Sequence, residues 1–226
     1  NGAVLDAEKS LLLEAGKNVL ASGTLKVKGS ILATAKEGNV HLHQTEAQNG
    51  NIIARAENGN IRMDEALTHE GGIAAEAKRG DIVVGKAKAE KGSIELKATN
   101  GTLTADVLQA KENISAEGKN VVMKQKAAAE KDLMLTATNK LTTEAELSAG
   151  ANMTLTGGDV TTQKKAAAGN NLTLAAQNKL TTAEKLTAGG DIAASSANGN
   201  MDIAAAEATG GIDLKATNGK LTAAAL

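Results

Sequence analysis

The sequence predicts an all-β fold, a right-handed parallel β-helix of about eleven 19–21-residue coils with three short strands in each coil. Three observations lead to this prediction. An apolar residue recurs every 19 to 21 positions along the whole chain, apolar and polar residues alternate after it, and an Asn- or Gly-rich corner follows. The sequence also contains no Phe, Tyr, Trp or Pro, which suits a narrow interior whose strands are paired on both sides.

The first strand of each coil begins at an apolar anchor residue. Residues two and four positions after each anchor are Leu, Ala, Gly or Ser, whereas the residue between them is mostly polar or charged. This period of two predicts a strand with one face against a core, with Leu174 and Leu214 fully buried. The anchors are Leu11, Ile31, Ile52, Ile73, Ile94, Ile114, Leu133, Met153, Leu172, Ile192 and Ile212.

Two further strands complete each predicted coil. The second begins at Val19, Val40, Ile61, Ile82, Leu103, Val121, Leu141, Val160, Leu180, Met201 and Leu221. A weaker third apolar position appears as Leu5, Leu25, Leu67, Leu108, Leu147 and Leu186, with Ala-rich runs in the other repeats.

A corner between the first two strands is predicted six residues after the anchor. Asn tolerates a left-handed backbone and bonds to its own turn, and stacked Asn side chains can bond to one another. We therefore expect a structural ladder of side chains bonded to backbone or to neighbouring coils. Its members are Asn58, Asn100, Asn120, Asn139, Asn178, Asn198 and Asn218, with Arg79 and Asp159 at the same position.

A leucine-rich repeat is the alternative solenoid, since it shares the period and an Asn ladder. Its strand is preceded by Leu-x-x-Leu, and its return side has helical or 3₁₀ spacing. Here each repeat has a Gly-rich corner instead, as in residues 59–61, 80–82 and 199–201. The β-helix accounts better for these corners.

Charge and composition limit the function classes. The chain has 25 basic and 26 acidic side chains, so we predict no nucleic-acid partner. It has no Cys, and no run approaches the ~18 apolar residues of a membrane span. Residues 1–6 show no signal-peptide pattern.

We find no linker, so residues 1–226 are predicted to form a single domain. Neither end shows the distinct cap of a solenoid. We therefore expect an uncapped fragment of a longer stalk, and we expect the isolated segment to associate end to end through its open strand edges.

Two histidines are the first candidate for a site. His41 and His43 flank Leu42, so both should point outward from one strand. Imidazoles at this spacing could bind a metal ion, but the sequence offers no third ligand at matching spacing, and the other histidine is His69. We predict a solvated surface and no metal site.

Three other patterns have structural explanations. Residues 157–159 and 189–191 resemble calcium-binding nonapeptide repeats, but the motif does not recur every nine residues, so both are interpreted as corners. Outward Thr142, Thr161 and Thr181 could form an ice-binding array, but β-propensity explains them and the column is short. Finally, charges of alternating sign are expected to pair between coils along Arg55, Glu76, Lys97 and Glu117.

An enzyme is not predicted. β-Helices that act as enzymes wall in a cleft with long loops, and coils of 19 to 21 residues leave no insertion for such a wall. We predict no catalytic residue and no cofactor. Sugar binding by ring stacking is excluded, because the chain has no aromatic side chain.

The repeat pattern Gly-Asn/Asp-Ile/Leu-x-Leu-x-Ala resembles the haemagglutinin repeat of filamentous haemagglutinin-like exoproteins of Gram-negative bacteria, which include contact-dependent inhibition adhesins. The segments that carry the resemblance are residues 38–42, 169–174 and 190–192. It implies a secreted, cell-surface β-helix and two-partner secretion through an outer-membrane partner. The Asn-Pro motifs of that family's secretion domain are missing, since the chain has no Pro.

The expected function is therefore structural. We predict a stalk segment of a secreted, cell-surface filamentous adhesin that projects binding or toxin domains. The alternative is a segment that binds a host or bacterial surface receptor, or a glycan, through the polar outer faces of the β-helix.

Overall fold

A computed structural model describes residues 4–226 as a parallel β-solenoid of about eleven coils, with about 20 residues and three strands per turn. The predicted fold class is therefore confirmed, while its right-handed sense stays a prediction. Every pair of hydrogen-bonded strands in the described part is parallel. The first half of the segment checked for a signal peptide, residues 1–3, lies outside the described residues.

Twenty-two strands form one sheet that winds around the interior. They are β1 (Val4–Ala7), β2 (Leu11–Ala15), β3 (Val19–Val27), β4 (Ile31–Ala35), β5 (Val40–Ala47), β6 (Ile52–Ala56), β7 (Ile61–Thr68), β8 (Ile73–Ala77), β9 (Ile82–Ala89), β10 (Ile94–Ala110), β11 (Ile114–Ala129), β12 (Leu133–Thr143), β13 (Glu146–Ala149), β14 (Met153–Gly157), β15 (Asp159–Thr162), β16 (Ala166–Ala168), β17 (Leu172–Ala176), β18 (Leu180–Ala188), β19 (Ile192–Ser196), β20 (Met201–Ala208), β21 (Ile212–Ala216) and β22 (Leu221–Ala223). This number is below three per coil because the second and third strands of a coil often run on as one element, as in residues 19–27.

The coils stack in the register that the apolar anchors predicted. Ile31 pairs with Ile52, Ile52 with Ile73, and the column continues through each anchor to Ile212. The second anchors form an equivalent column from Val19 to Leu221. Both columns follow from the alternation of apolar and polar residues. If the pairing of a strand shifted by one residue, every apolar side chain of that strand would point outward.

The interior is filled by aliphatic side chains of graded size. Leu174 and Ala98 are completely buried, as the columns after the anchors predicted. Leu214, which was also predicted to be fully buried, is only partly buried. That prediction was wrong because Leu214 lies in the last coil of this chain, and no further coil of the chain stacks on it.

The third strands correct one sequence assignment. The inward column passes from Thr45 to Ala66 and Ala87, so Ala66 is buried. Leu67 instead lies one position later, on the outer face, and pairs with Lys88. The corner before this strand has a different length in different coils, so the period alone did not fix which residue points inward.

Candidate functional site

A ladder of hydrogen bonds runs along the corner that precedes the first strands. In most coils the residue directly before the anchor is Ser, Asn or Asp, and its side-chain oxygen accepts a hydrogen bond from the backbone N–H of the equivalent residue one coil later, at 2.7–3.3 Å. The accepting residues are Ser10, Ser30, Asn51, Ser93, Asn113, Asp132, Asn152, Asn171 and Asp191. The ladder is interrupted at Gly72, which has no side chain.

A second ladder precedes the second strands. Asn18 Oδ1 accepts the N–H of Asn39 at 2.8 Å, and Asn39 Oδ1 accepts the N–H of Asn60 at 2.8 Å. Asn60 and Asp81 continue the chain of bonds to Thr102 at 2.8 and 2.7 Å. The same bond recurs from Lys179 N–H to Asp159 and from Lys220 N–H to Asn200. Each bond satisfies a corner N–H that would otherwise face solvent.

The predicted corner column divides into two positions in the structure. Asn120 and Asp159 directly precede the second anchors Val121 and Val160, and Asn120 pairs with Thr102 and Lys140. The other predicted members lie at the corner before that position.

Bonding of the predicted ladder residues differs from one to the next. Asn139 Nδ2 donates to Asn120 Oδ1 at 3.0 Å, and Asn218 Nδ2 donates to Asn198 Oδ1 at 3.5 Å. Asn100 Nδ2 donates to the carbonyl of Lys78 at 2.9 Å. Within residues 4–226, the exposed side chains of the remaining two members, Asn58 and Asn178, make no hydrogen bond.

The sequence contained a signal for the bonded positions. The residue just before each strand is almost always Ser, Asn or Asp in the first ladder, and Asn39, Asn171 and Asp191 belong to the pattern that carried the family resemblance. No described residue, Gly or otherwise, has a positive φ. The left-handed conformation expected of the corner asparagines is therefore absent from the described residues.

Glycines at the corners allow neighbouring coils to approach closely. A Cβ on Gly59 would lie 2.1 Å from the carbonyl oxygen of Gly38, and a Cβ on Gly80 would lie 2.1 Å from that of Gly59. The same relation joins Gly101 to Gly80. These positions require glycine for space, and their φ angles do not require it.

His41 and His43 both point outward around buried Leu42, as predicted, and both contact a carboxylate of the next coil. His41 Nε2 and His43 Nδ1 lie 3.1 and 2.8 Å from Asp64 Oδ2, and Arg62 Nε donates to Asp64 Oδ1 at 2.7 Å. Burial raises the pKa of Asp64, but hydrogen bonds from His43, His41 and Arg62 outweigh it and bring the pKa to about 2.

The His69 side chain contacts one carboxylate in the coil before its own and one in the coil after it. Its Nδ1 lies 2.8 Å from Glu90 Oε2 and its Nε2 lies 3.2 Å from Glu46 Oε1. The hydrogen bonds to Glu90 and then to Glu46 raise the pKa of the imidazole. Lys26 and Lys88 contact the far sides of the two carboxylates at 3.3 and 2.6 Å. The group forms a charged network across stacked coils.

No group of three or more metal-ligating side chains in residues 4–226 is arranged to hold a metal ion. Asp159 and Asp191, from the two segments that resemble calcium-binding repeats, each accept one backbone N–H of the next coil, from Lys179 and from Gly211. Both carboxylates therefore have a structural partner.

The Thr columns follow the predicted alternation. Outward Thr142, Thr161 and Thr181 stack in register, with Val122 and Asp202 at the two ends. The next residues point into the core and are buried; they are Thr143, Thr162 and Thr182.

The buried Thr side chains differ in their hydrogen bonding. The hydroxyls of Thr143 and Thr162 have no partner in the described part of the chain, whereas Thr182 Oγ1 accepts the N–H of Ala204 at 3.2 Å.

The alternating charges form ion pairs between coils at two of the three predicted steps. Arg55 Nε lies 3.9 Å from Glu76 Oε2, and Lys97 Nζ lies 3.1 Å from Glu117 Oε2. These side chains are about half exposed, so each pair adds little to stability.

A shallow groove runs along the outer face of the third strands. Its two parts have volumes of about 390 and 530 Å³ and share Lys88. Side chains along it include Lys26, Glu46, Leu67, Gln109, Lys111 and Ser148. Its charges are largely paired, as in Lys88 with Glu90 and Lys111 with Glu130.

Comparisons with protein-family models, with curated proteins and with solved structures found no match. None of the described residues belongs to a helix that could span a membrane.

Proposed function

We propose that this chain is a structural stalk: a segment of a secreted, Gram-negative cell-surface filamentous adhesin or haemagglutinin-like protein that projects binding or toxin domains. The observation that carries the proposal is the unbroken stacking of about eleven coils of nearly equal length. A rod of this kind extends by about 4.8 Å per coil and reaches on the order of 50 Å.

The contacts of the coils support a mechanical role. Within residues 4–226 each coil pairs only with the coils before and after it, and the two side-chain ladders add bonds along the same axis. Salt bridges between neighbouring coils, such as Lys97 with Glu117 and Lys131 with Glu112, follow the same direction. A solenoid with only nearest-neighbour contacts can vary in length without a change of its local structure.

The haemagglutinin-like identity, the secreted location and an outer-membrane secretion partner are proposed on the repeat pattern alone. The proposal includes no catalytic role and no cofactor.

Coil deletion tests the stalk. Removal of residues 73–113 joins Gly72 to Ile114, which occupies the position of Ile73 two coils later. Spin labels on Thr34→Cys and Ser195→Cys, in a chain without native Cys, should report a distance shortened by about 10 Å. Removal of residues 73–82, about half a coil, should unfold the rod and serves as the control. An unchanged distance, or unfolding of both deletion variants, contradicts the stalk.

A second function, binding of a receptor or glycan, is favoured by the groove along the third strands. It would use polar side chains such as Lys88, Gln109 and Ser148, since no aromatic ring is present. A cell-binding assay with the fluorescently labelled chain separates the two functions. A stalk shows no saturable binding. Saturable binding that Lys88→Ala and Gln109→Ala weaken, but Lys215→Ala does not, would favour the binding segment.

A further inference from the structure

The outer face of the first three coils carries an apolar column. Leu12 in β2, Leu32 in β4 and Ile53 in β6 stack in register on the outer face of the solenoid. Leu12 is 58% exposed, and Leu32 and Ile53 are partly exposed. The column continues as Ala74, Glu95, Ser115 and Met134, so Leu12, Leu32 and Ile53 are its one run of three large aliphatic side chains within residues 4–226.

Charged residues of opposite sign border this column. Glu14, Thr34 and Arg55 form the neighbouring outward column on the same three strands. Glu14 makes no ion pair within residues 4–226. Among the described residues, Arg55 has only the distant contact with Glu76, at 3.9 Å, and its side chain is 52% exposed. Both charges are therefore available to a partner.

We propose that a second copy of this chain docks on this face in antiparallel orientation, with the twofold axis along β4. In this arrangement Leu32 and Thr34 face their own equivalents. Leu12 faces Ile53 of the second copy, so that apolar side chains meet across the contact. Glu14 then faces Arg55 of the second copy, and the same pair forms twice.

The charge pattern selects this register over its neighbours. A twofold axis between β4 and β6 would set Glu14 against Glu76. An axis along β6 would set Arg55 against Arg55 and would place Leu12 against Glu95. The axis along β4 therefore places apolar side chains opposite one another at all three steps and opposite charges at the two outer steps, with Thr34 facing Thr34 at the centre. Self-complementarity of this kind is what a twofold interface requires, and it is the reason for choosing a second copy as the occupant.

The dimer is weak. Three stacked strands about 4.8 Å apart offer only a few hundred Å² per copy, less than the roughly 800 Å² of a standard interface. We expect a dissociation constant on the order of 10 μM to 1 mM. The pairing is lateral and does not depend on the proposed stalk function.

Sedimentation velocity of the chain across this concentration range tests the proposal. The native chain should shift from monomer to dimer, and E14R and R55E should each raise the dissociation constant at least about tenfold, because like charges then face one another. An equimolar mixture of E14R and R55E should dimerise again, since opposite charges are restored at both sites. The double variant E14R/R55E should also recover dimerisation.

Matched variants elsewhere on the same columns provide the controls. Leu32→Gln should abolish the dimer, whereas Met134→Gln, on the same outward column and 47% exposed, should not affect it. Lys215→Glu is the equivalent control for R55E. A monomer at every concentration overturns the proposal. So does association that persists in Leu32→Gln and E14R, which would indicate end-to-end stacking or a different face.

Discussion

The backbone N–H of Asn60 donates a hydrogen bond to the side-chain oxygen of Asn39, one coil earlier, at 2.8 Å. The bond ties together corners that are 21 residues apart in the sequence. Asn39 itself donates its N–H to Asn18 in the same way. Because this bond recurs from coil to coil, the corner side chains link neighbouring coils along the axis of the solenoid.

Asn39→Ala should therefore lower the free energy of unfolding by about 0.5–1.5 kcal/mol, the usual net worth of one hydrogen bond. Asn58→Ala is the matched control, because the Asn58 side chain has no hydrogen bond in the described residues and should be neutral within about 0.5 kcal/mol. Urea unfolding measures both. Equal losses in the two variants would mean that the ladder bond adds no stability. Asn178→Ala should behave like the control.

Gly59→Ala should destabilise the chain by at least about 1–3 kcal/mol, since the new Cβ would lie 2.1 Å from a backbone oxygen that no side-chain rotation can move. Gly16→Ala is the comparison, because a Cβ there meets no atom within 4 Å. It should be neutral or stabilising by about 0.4–1 kcal/mol. Thermal unfolding of the two variants should therefore diverge. Similar melting temperatures would show that the coils can separate at low cost.

Thr162→Val should raise the free energy of unfolding by about 1–2 kcal/mol, because Val has nearly the same shape and removes a buried hydroxyl without a partner. Thr182→Val should instead be destabilising, since the Thr182 hydroxyl accepts the N–H of Ala204. Urea unfolding should therefore show a gain in the free energy of unfolding for Thr162→Val and a loss for Thr182→Val. A loss of stability in Thr162→Val would indicate that a bound water satisfies its hydroxyl.

We expect both smaller and larger side chains in the core to lower the free energy of unfolding. Leu174→Ala should cost about 2–5 kcal/mol through the cavity it leaves. Ala98→Leu should lower the free energy of unfolding by about 1–3 kcal/mol, because Ala98 is completely buried and a larger side chain would overpack the interior. Both are measured by the urea midpoint. An unchanged midpoint for Ala98→Leu would place that side chain outside the packed interior.

His69 should make stability depend on pH near neutrality. Hydrogen bonds to Glu90 and Glu46 raise its pKa in the folded state, so its contribution is fully present below the unfolded value of about 6.5 and is lost as pH rises through the folded value. Native chain should therefore exceed His69→Gln in stability more at about pH 6 than at about pH 9.

Unfolding midpoints of the native chain and His69→Gln at the two pH values measure this difference. Lys215→Gln, far from the network, is the control and should show no such pH dependence. A constant difference between native chain and His69→Gln would mean that the imidazole acts only through packing.

The parallel stacking of about eleven coils could be predicted from the sequence alone. The pairing of Ile94 with Ile114, and of Leu103 with Val121, could be predicted because alternation fixes which face of a strand is buried and the period fixes which strands are stacked. Alternation and period are local properties that recur in about eleven coils. A wrong assignment in one coil can therefore be recognised by comparison with the neighbouring coils. The outward position of His41 and the burial of Thr162 follow from the same alternation.

The hydrogen-bond partners of the corner side chains could not be predicted from the sequence and are seen only in the folded chain. The period placed Asn100 and Asn120 at one position, but Asn120 directly precedes the anchor Val121, whereas Asn100 lies three residues before Leu103, so they contact different groups. The residue facing inward is Ala66 and not Leu67 for the same reason. Corner lengths vary from coil to coil. The partner of a corner side chain is therefore set by contacts between coils about 20 residues apart, and alternation within one strand carries no information about them.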